Sequence, residues 1–417
     1  MGSGWTGCIR GSGVGLTRRE TIATLGATTF APQIEAAVPA GSAVDVAVIG
    51  AGVFGAWTAW HLKKSGLSVA LFDQYSPGNA RSSSGGESRV IRVSYGGDPL
   101  YSRMAAQSLA QWDALSRRQS LPILHKIGVL WFAPPADAAA AESLAWLRRS
   151  GLGQWEGDAA ALRRRFPQMR FAGDEMGFIE TASGALIAGR GVQAVVADAG
   201  LGAVRARIGP PQKLSSGAYR VHDVTARHLV YACGPWLPRV FPDVLGGRIF
   251  ATRQEVYHFG ASPGDLRFAA PALPVWIDSD PKDYAYGFPD LEGQGFKLAF
   301  DTHGPEVDPD TQSRQLSAEG VARARAYLRA RFPDLADSPL IHARVCQYEN
   351  SSNGDFLIDR LPGHDRVWLV GGGSGHGFKH GPAVGQRVAV HIIDAKAPVE
   401  PRFSLATKAT QQNRTVY

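Results

Sequence analysis

Residues 44–55 constrain this chain more than any other stretch. A β-branched run over 44–49 ends directly in Gly50-Ala51-Gly52-Val53-Phe54-Gly55, and an apolar helical stretch follows over 56–64. A short run of that composition suits a strand buried on both faces of a parallel sheet. Each glycine then has its own physical task. Gly50 makes the tight turn out of the strand, Gly52 lets backbone approach a pyrophosphate, and Gly55 lets helix and strand pack closely. The helix N-terminus adds partial positive charge where phosphates would sit. A second strand, 68–72, closes on Asp73, placed to hydrogen-bond ribose hydroxyls. The glycine pattern alone would say little, but strand, turn, helix, strand and acid in this order predict a dinucleotide-binding unit. The acid argues against a nucleotide with a 2′-phosphate and leaves FAD and NAD both open.

The rest of the composition narrows the class. A chain of 417 residues with 44% hydrophobic content is long enough for two packed domains and excludes wholesale disorder. The formal charge of +7 comes mostly from arginines scattered singly or in pairs. Nucleic-acid binding would want a clustered stripe, so the charge reads as a solvated surface that favours anionic ligands. Cys8, Cys233 and Cys346 are too few for a disulfide framework and lack the spacing of a zinc site. No apolar run reaches the length of a bilayer span, and no internal repeat is evident. Residues 1–40 read as an address: Arg18-Arg19 precedes a mildly apolar stretch to Pro32, and Val38-Pro39-Ala40 offers a small-residue cleavage site. That layout predicts twin-arginine export to the periplasm, with an ordinary cytoplasmic N-terminal helix as the alternative.

Three further segments carry chemistry. Residues 77–95 contain the serine run at 82–84, then Gly86-Glu87-Ser88-Arg89-Val90-Ile91-Arg92. Residues 345–359 contain Cys346-Gln347-Tyr348 and the acids Asp355 and Asp359, and 367–379 end in Ser374-Gly375-His376-Gly377-Phe378-Lys379. With the glycine-rich start, this combination resembles the monomeric sarcosine oxidase and N-methyltryptophan oxidase group of the D-amino-acid-oxidase-like flavoproteins. The resemblance runs from about residue 43 to about 395 and is thin across 130–250.

The resemblance implies bound FAD and a set of roles. Cys346 matches the cysteine joined by a thioether to the flavin's 8-methyl group, although a free cysteine is otherwise a small buried hydrophobe. Cys233 reads as packing. Arg92 and Lys379 match the cations that grip a substrate carboxylate, and Arg89, read as one helical turn before Arg92, matches the arginine beside the flavin. Standing alone, either arginine would read as half of a surface ion pair. Lys297 matches the lysine that assists reaction with O2, where a fixed cation stabilises developing negative charge; its plain alternative is a strand lysine whose head reaches solvent. Tyr286 is a candidate aromatic wall for the substrate. Ser83 and Ser84, with Gly373, Ser374, Gly375, His376 and Gly377, are expected on the cofactor, the glycine-rich turn bringing N–H groups to the flavin. His376 and His380 have the spacing of a metal pair, but Gly377 and Pro382 argue against a helix through them and no third ligand is evident.

The implied architecture is an α/β chain: a Rossmann-like FAD-binding domain (43–125, 183–250 and 342–397) interleaved with an antiparallel-sheet α+β substrate domain (126–182 and 251–341). Helices are expected over 99–117 and 318–332, and a loose C-terminal tail from about 400. The implied activity is oxidation of a small secondary amine or amino acid by a monomer, with O2 as acceptor. A dehydrogenase using a carrier, or a flavin-binding protein without turnover, are the alternatives. Departures from the family pattern lie near the flavin and the substrate. Glu349, Ser351 and Asn353 stand where threonines and an acid are usual, serines stand where histidines precede Gly86, and Asp301 replaces a histidine. They leave FAD binding untouched and the substrate open.

Overall fold

The computed structural model describes residues 38–280 and 282–414, so the segment read as an export signal lies almost entirely outside the described residues. The predicted βαβ unit forms as strand Ala43–Ile49, helix Val53–Lys64 and strand Val69–Asp73. Gly50 has φ of +101° where the chain leaves the strand, a conformation few L side chains adopt. A methyl group at Gly55 would run into the carbonyl oxygen of Gly50, so this glycine serves the packing of helix against turn.

Around this unit lies an eight-stranded sheet. Ala43–Ile49 pairs in parallel with Val69–Asp73 and with Val224–Tyr231; Ala203–Arg205 extends one side and Val367–Gly371 the other, both in parallel. The strands are nearly all apolar because both faces are covered. Helices Val53–Lys64, Ala188–Asp198 and Gly381–Ile393 pack together on one face, where Trp57, Trp112 and Trp368 are buried.

A second sheet of eight strands runs in the order Leu340–Ser351, Ile249–Phe259, Phe296–Phe300, Ala285–Phe288, Val275–Asp278, Val129–Ala133, Met176–Glu180, Gln154–Asp158. Its pairings are antiparallel except that between Val275–Asp278 and Val129–Ala133. Helix Ala318–Arg331 covers one face through Tyr327 and Leu328, and the Trp276 ring stacks on both Tyr327 and Phe296. Helix Pro99–Ser116 likewise falls where the sequence predicts one.

Three expectations change. Strand Leu340–Ser351, expected within the FAD domain from residue 342, pairs along its length with Ile249–Phe259 and so belongs to the antiparallel sheet. Arg89 and Arg92 are not one helical turn apart. Ser88–Ile91 is a strand held by Gly184–Ile187, and in extended chain a spacing of three puts side chains on opposite faces. The tail is not loose: Phe403 and Lys408 are buried, and Arg402 pairs with Asp98 and Asp355.

Candidate active site

A cleft of about 470 Å³ opens at the C-terminal ends of the parallel strands, where open α/β sheets bind their ligands. Gly50, Gly52, Val53, Asp73, Ser83, Ser84 and Arg89 line it from the N-terminal segments, and Tyr348, Glu349, Gly373, Gly375 and Gly377 from the C-terminal ones. The Val53 N–H at the helix start donates to Ser84 Oγ at 3.0 Å. Asp73 accepts from the Ala51 and Tyr75 N–H groups, each at 2.8 Å, which points its carboxylate at the cleft rather than into the sheet. Burial raises its pKa. Among the described residues a Cβ on Gly52 would meet only Ser84 Oγ, so this backbone faces open space in the cleft. The donors at the helix start, the bare glycine and the acid at the strand end fit a dinucleotide.

The glycine-rich turn behaves differently along its length. Gly373, Gly375 and Gly377 face the cleft, whereas Ser374 and His376 do not line it. Ser374 holds the turn, donating to the Gly372 carbonyl and accepting from the Ser351 N–H. His376 Nε2 is 3.0 Å from the Gly354 carbonyl, so that nitrogen carries the proton and Nδ1 is left to accept from the Tyr95 hydroxyl at 3.1 Å. The Tyr95 oxygen in turn lies 2.7 Å from His380 Nε2. The two histidines, discarded as a metal pair, are thus bridged by a tyrosine. Both imidazoles are kept far below the ordinary histidine range by burial and by Lys379.

Tyr95 also organises the two cations predicted to hold a carboxylate. Its ring lies 4.0 Å from the Arg92 guanidinium carbon and 5.1 Å from Lys379 Nζ, and Arg92 reaches Trp131 at 5.0 Å. Such contacts are worth about 0.5–2 kcal/mol each, more when desolvated. Arg92 and Lys379 are both buried, and Lys379 donates to the His376 carbonyl at 3.0 Å. Burial and the neighbouring Arg92 charge push its ammonium far down, with Asp301 and Glu180 opposing. A bound anion would restore the charge. Arg92, Tyr95, Trp131, Tyr284 and Asp301 open onto a second cavity of about 1000 Å³.

Lys297, Cys346 and Tyr286 line neither cavity, but stand on strands of the same antiparallel sheet, and Cys346 is felt by both of the others. Lys297 is buried, with Nζ 3.0 Å from the Ser88 carbonyl and 3.2 Å from its hydroxyl. Burial, then Arg89, lower its pKa to about 7, against the pull of Glu87 and Cys346. Arg89 turns to the cleft side, donating to the carbonyls of Ser83, Gly85 and Ser88. Tyr286 feels both Arg89 and Cys346, and its hydroxyl meets that of Tyr348 at 3.1 Å. Tyr348 reaches Asp301 at 3.4 Å, and Asp301 is felt by Lys379. This chain of contacts joins the Lys297–Arg89–Cys346 group to the Arg92–Lys379 group. Cys233 lines the cleft and contacts the Ile49 carbonyl through its sulfur. Behind Lys297, Glu87, His258 and His342 bring one ligand atom each within 4.8 Å. Arg344 already pairs with Glu87 at 2.8 Å, and with Lys297 beside it the local charge opposes a metal cation.

Sequence reading missed Tyr95, Tyr348, Trp131, Glu180 and Arg414. Tyr95 and Tyr348 lie inside motifs that were visible, three residues after Arg92 and two after Cys346. Glu180 accepts from the Val93 N–H, the Ser183 hydroxyl and the Trp131 indole, a role no local pattern announces.

Residues 45–390 match the family model described as FAD dependent oxidoreductase. A monomeric sarcosine oxidase from Streptomyces avermitilis is 31% identical over 356 residues, covering 83% of this chain and 92% of the relative. An N-methyl-L-tryptophan oxidase from Salmonella newport is 29% identical over 85% of this chain and 95% of its own. Among solved structures, the amino acid oxidase NikD superposes with a TM-score of 0.71 at 20% identity, over 87% of this chain and 97% of that one. A fructosamine oxidase from Aspergillus fumigatus gives 0.69 at 22% identity, over 88% and 90%. At these identities the two structures speak for the fold alone.

Proposed function

Since the chain belongs to the FAD-dependent oxidoreductase family and is an amine oxidoreductase, we propose that its substrate is a secondary amino acid, N-methylated, cyclic or more bulkily N-substituted, and that O2 is its electron acceptor. Bound FAD would supply the redox chemistry, taking up the two electrons and hydride released from the carbon beside the amine nitrogen, with O2 as the final acceptor reduced to hydrogen peroxide. The residues that would hold it are Gly50, Gly52, Asp73, Ser83, Ser84, Arg89 and the turn at Gly373, Gly375 and Gly377, with Cys346 as the attachment thiol.

The protein's part is placement and charge. One observation carries the substrate reading: Arg92 and Lys379, both buried, lie against the ring of Tyr95, which with Arg92 lines the large cavity. A guanidinium can hold a carboxylate through two parallel hydrogen bonds and an ammonium adds a point charge. Fixing the carboxylate fixes the direction of the amine-bearing carbon, which is worth several kcal/mol of avoided disorder. No side chain here needs to act as a strong base, because a neutral amine can be the reactive form. The imine product hydrolyses after release. Lys297, on the other side of the tyrosine pair, supplies positive charge where electron transfer to oxygen develops negative charge.

Cavity size supports a substrate larger than N-methylglycine. About 1000 Å³ lined by Trp131, Pro134, Ala139 and Ala140 is far more than that molecule fills. The relatives' named substrates, sarcosine and N-methyl-L-tryptophan, span the range to be tested. The experiment is a panel of N-methylglycine, N-methyl-L-tryptophan, pipecolate and a fructosyl amino acid, scored anaerobically by flavin bleaching. Wild type should bleach with at least one, and K379M should need about tenfold or more substrate for half-saturation. A K379M protein with unaltered half-saturation would remove the carboxylate reading. Reoxidation by air slower than turnover would transfer the acceptor role from oxygen to a carrier. We further infer export by the twin-arginine route from Arg18-Arg19 and the small-residue site after it.

A further inference from the structure

The segment after residue 400 enters the substrate cavity. Phe403 is buried in the core, and Arg402 bonds Asp98 and Asp355, each at 2.7 Å. The Lys408 carbonyl accepts from Arg248 at 3.1 Å, and the Asn413 N–H donates to the Ser352 carbonyl at 2.6 Å. Those anchors deliver Arg414 to the cavity wall, which it lines together with Asp301, Thr302, His303, Trp131 and Pro134. Arg414 Nη2 is 3.0 Å from Asp301 Oδ2 and 3.3 Å from the Ser374 carbonyl, and Nη1 is 3.0 Å from His303 Nε2. Both side chains of the ion pair are only 14% exposed, so solvent screens it weakly.

Asp301 poses an electrostatic problem that this pair resolves. It stands four residues after Lys297 along an extended stretch and so on the same face, turned toward the tyrosine pair. Its charge is felt at Lys379, Tyr284, Tyr286 and Tyr348. A bare carboxylate there would repel an incoming carboxylate and partly cancel the field of Arg92 and Lys379. Glu180, a second acid in range, is committed to the Val93 N–H, Ser183 and Trp131. We propose that Arg414 is a positioning residue for substrate recognition. By neutralising Asp301 it keeps the amino-acid site net positive, so the enzyme prefers amines that bear a carboxylate over simple amines. This rests on the reading of Arg92 and Lys379 as the carboxylate grip.

The test uses the FAD-loaded full chain and two probes that differ in one charged group, benzoate and benzylamine, each titrated by the perturbation of flavin absorbance. In R414M the benzoate Kd should rise about tenfold while that for benzylamine stays level or falls. R414M/D301N should recover benzoate binding to within about threefold of wild type, because removing the acid removes the need for its partner. R414K, which keeps the charge, should bind benzoate nearly as well as wild type and covers the case in which R414M folds poorly. Half-saturation for the best substrate of the panel should follow benzoate affinity, with kcat changing less. An R414M protein with unaltered benzoate affinity would overturn the inference, as would equal weakening of both probes in R414M and R414M/D301N, which would make Arg414 a plain wall. If K379M weakens benzoate and R414M does not, only this inference falls. If K379M and R92M are also without effect, the carboxylate reading falls with it.

Discussion

Replacing Glu349 by glutamine should stabilise the protein at alkaline pH, and the size of the effect follows from where the side chain lies. Glu349 sits on strand Leu340–Ser351 beside the dinucleotide cleft, 7% exposed. Among the described residues its Oε1 has no hydrogen-bond partner. Burial raises its pKa from an ordinary 4.5 to about 7, against the opposing N–H groups of Gly372 and Gly373. The sign follows from which state loses its proton first. As pH rises through 4.5 the unfolded chain releases the proton, while the folded chain holds it until about 7. Stability is therefore fully present below 4.5, lost progressively up to about 7, and constant above. At about 1.4 kcal/mol per pH unit that interval amounts to roughly 3 kcal/mol. Glutamine has the same shape and no charge to bury, so E349Q should lack this loss. The assay is denaturant unfolding of both proteins at pH 5 and pH 8, with the variant's advantage growing by about 2–3 kcal/mol between them. Parallel pH profiles would refute the reasoning and show that Glu349 ionises freely in the fold. The same neutral carboxyl matters for FAD binding, since an ionised acid in that cleft would oppose the negative pyrophosphate. FAD retention by wild type should accordingly weaken above pH 7 relative to E349Q.

Three further outcomes test separate parts of the site. The rate of flavin reoxidation by O2 should fall as pH rises through about 7, where Lys297 loses its proton, and K297M should be slow at every pH, by about a hundredfold or more; a K297M rate within threefold of wild type would remove Lys297 from the oxygen reaction. Yellow colour should stay with acid-precipitated wild-type protein and leave with the supernatant for C346S; release from both would mean the flavin is not attached through Cys346. Replacing Arg18 and Arg19 together by lysine should leave the protein in the cytoplasmic fraction, and unchanged distribution would end the export reading.

Much of the cofactor site was legible from local sequence because its physics is local. Gly50, Gly52, Gly55 and Asp73 fall within one strand–turn–helix–strand unit, and each is required by backbone geometry that a few residues define. Periodicity likewise announced helices Pro99–Ser116 and Ala318–Arg331. Where a motif could be extended in two ways, local reading failed. Arg89 and Arg92 read as neighbours on a helix, but Ser88–Ile91 pairs as a strand with Gly184–Ile187, which leaves the chain extended into Arg92 and sends Arg89 toward the cleft and Arg92 to the cavity. In the glycine-rich turn, only the fold separates Gly373, Gly375 and Gly377, which face the cleft, from Ser374 and His376, which brace it.

By itself the sequence determined the dinucleotide unit and the residue types on which its chemistry depends. Turn geometry, helix dipoles and apolar periodicity act over a handful of bonds and leave their mark in consecutive residues. Only the tertiary structure decided which charges meet. Asp301 and Arg414 are 113 positions apart, Tyr95 and His380 are separated by 285, and Lys297 finds Ser88 across 209. Electrostatic interaction depends on distance in space and on the exclusion of water, and neither quantity exists until the chain has folded and brought these residues together.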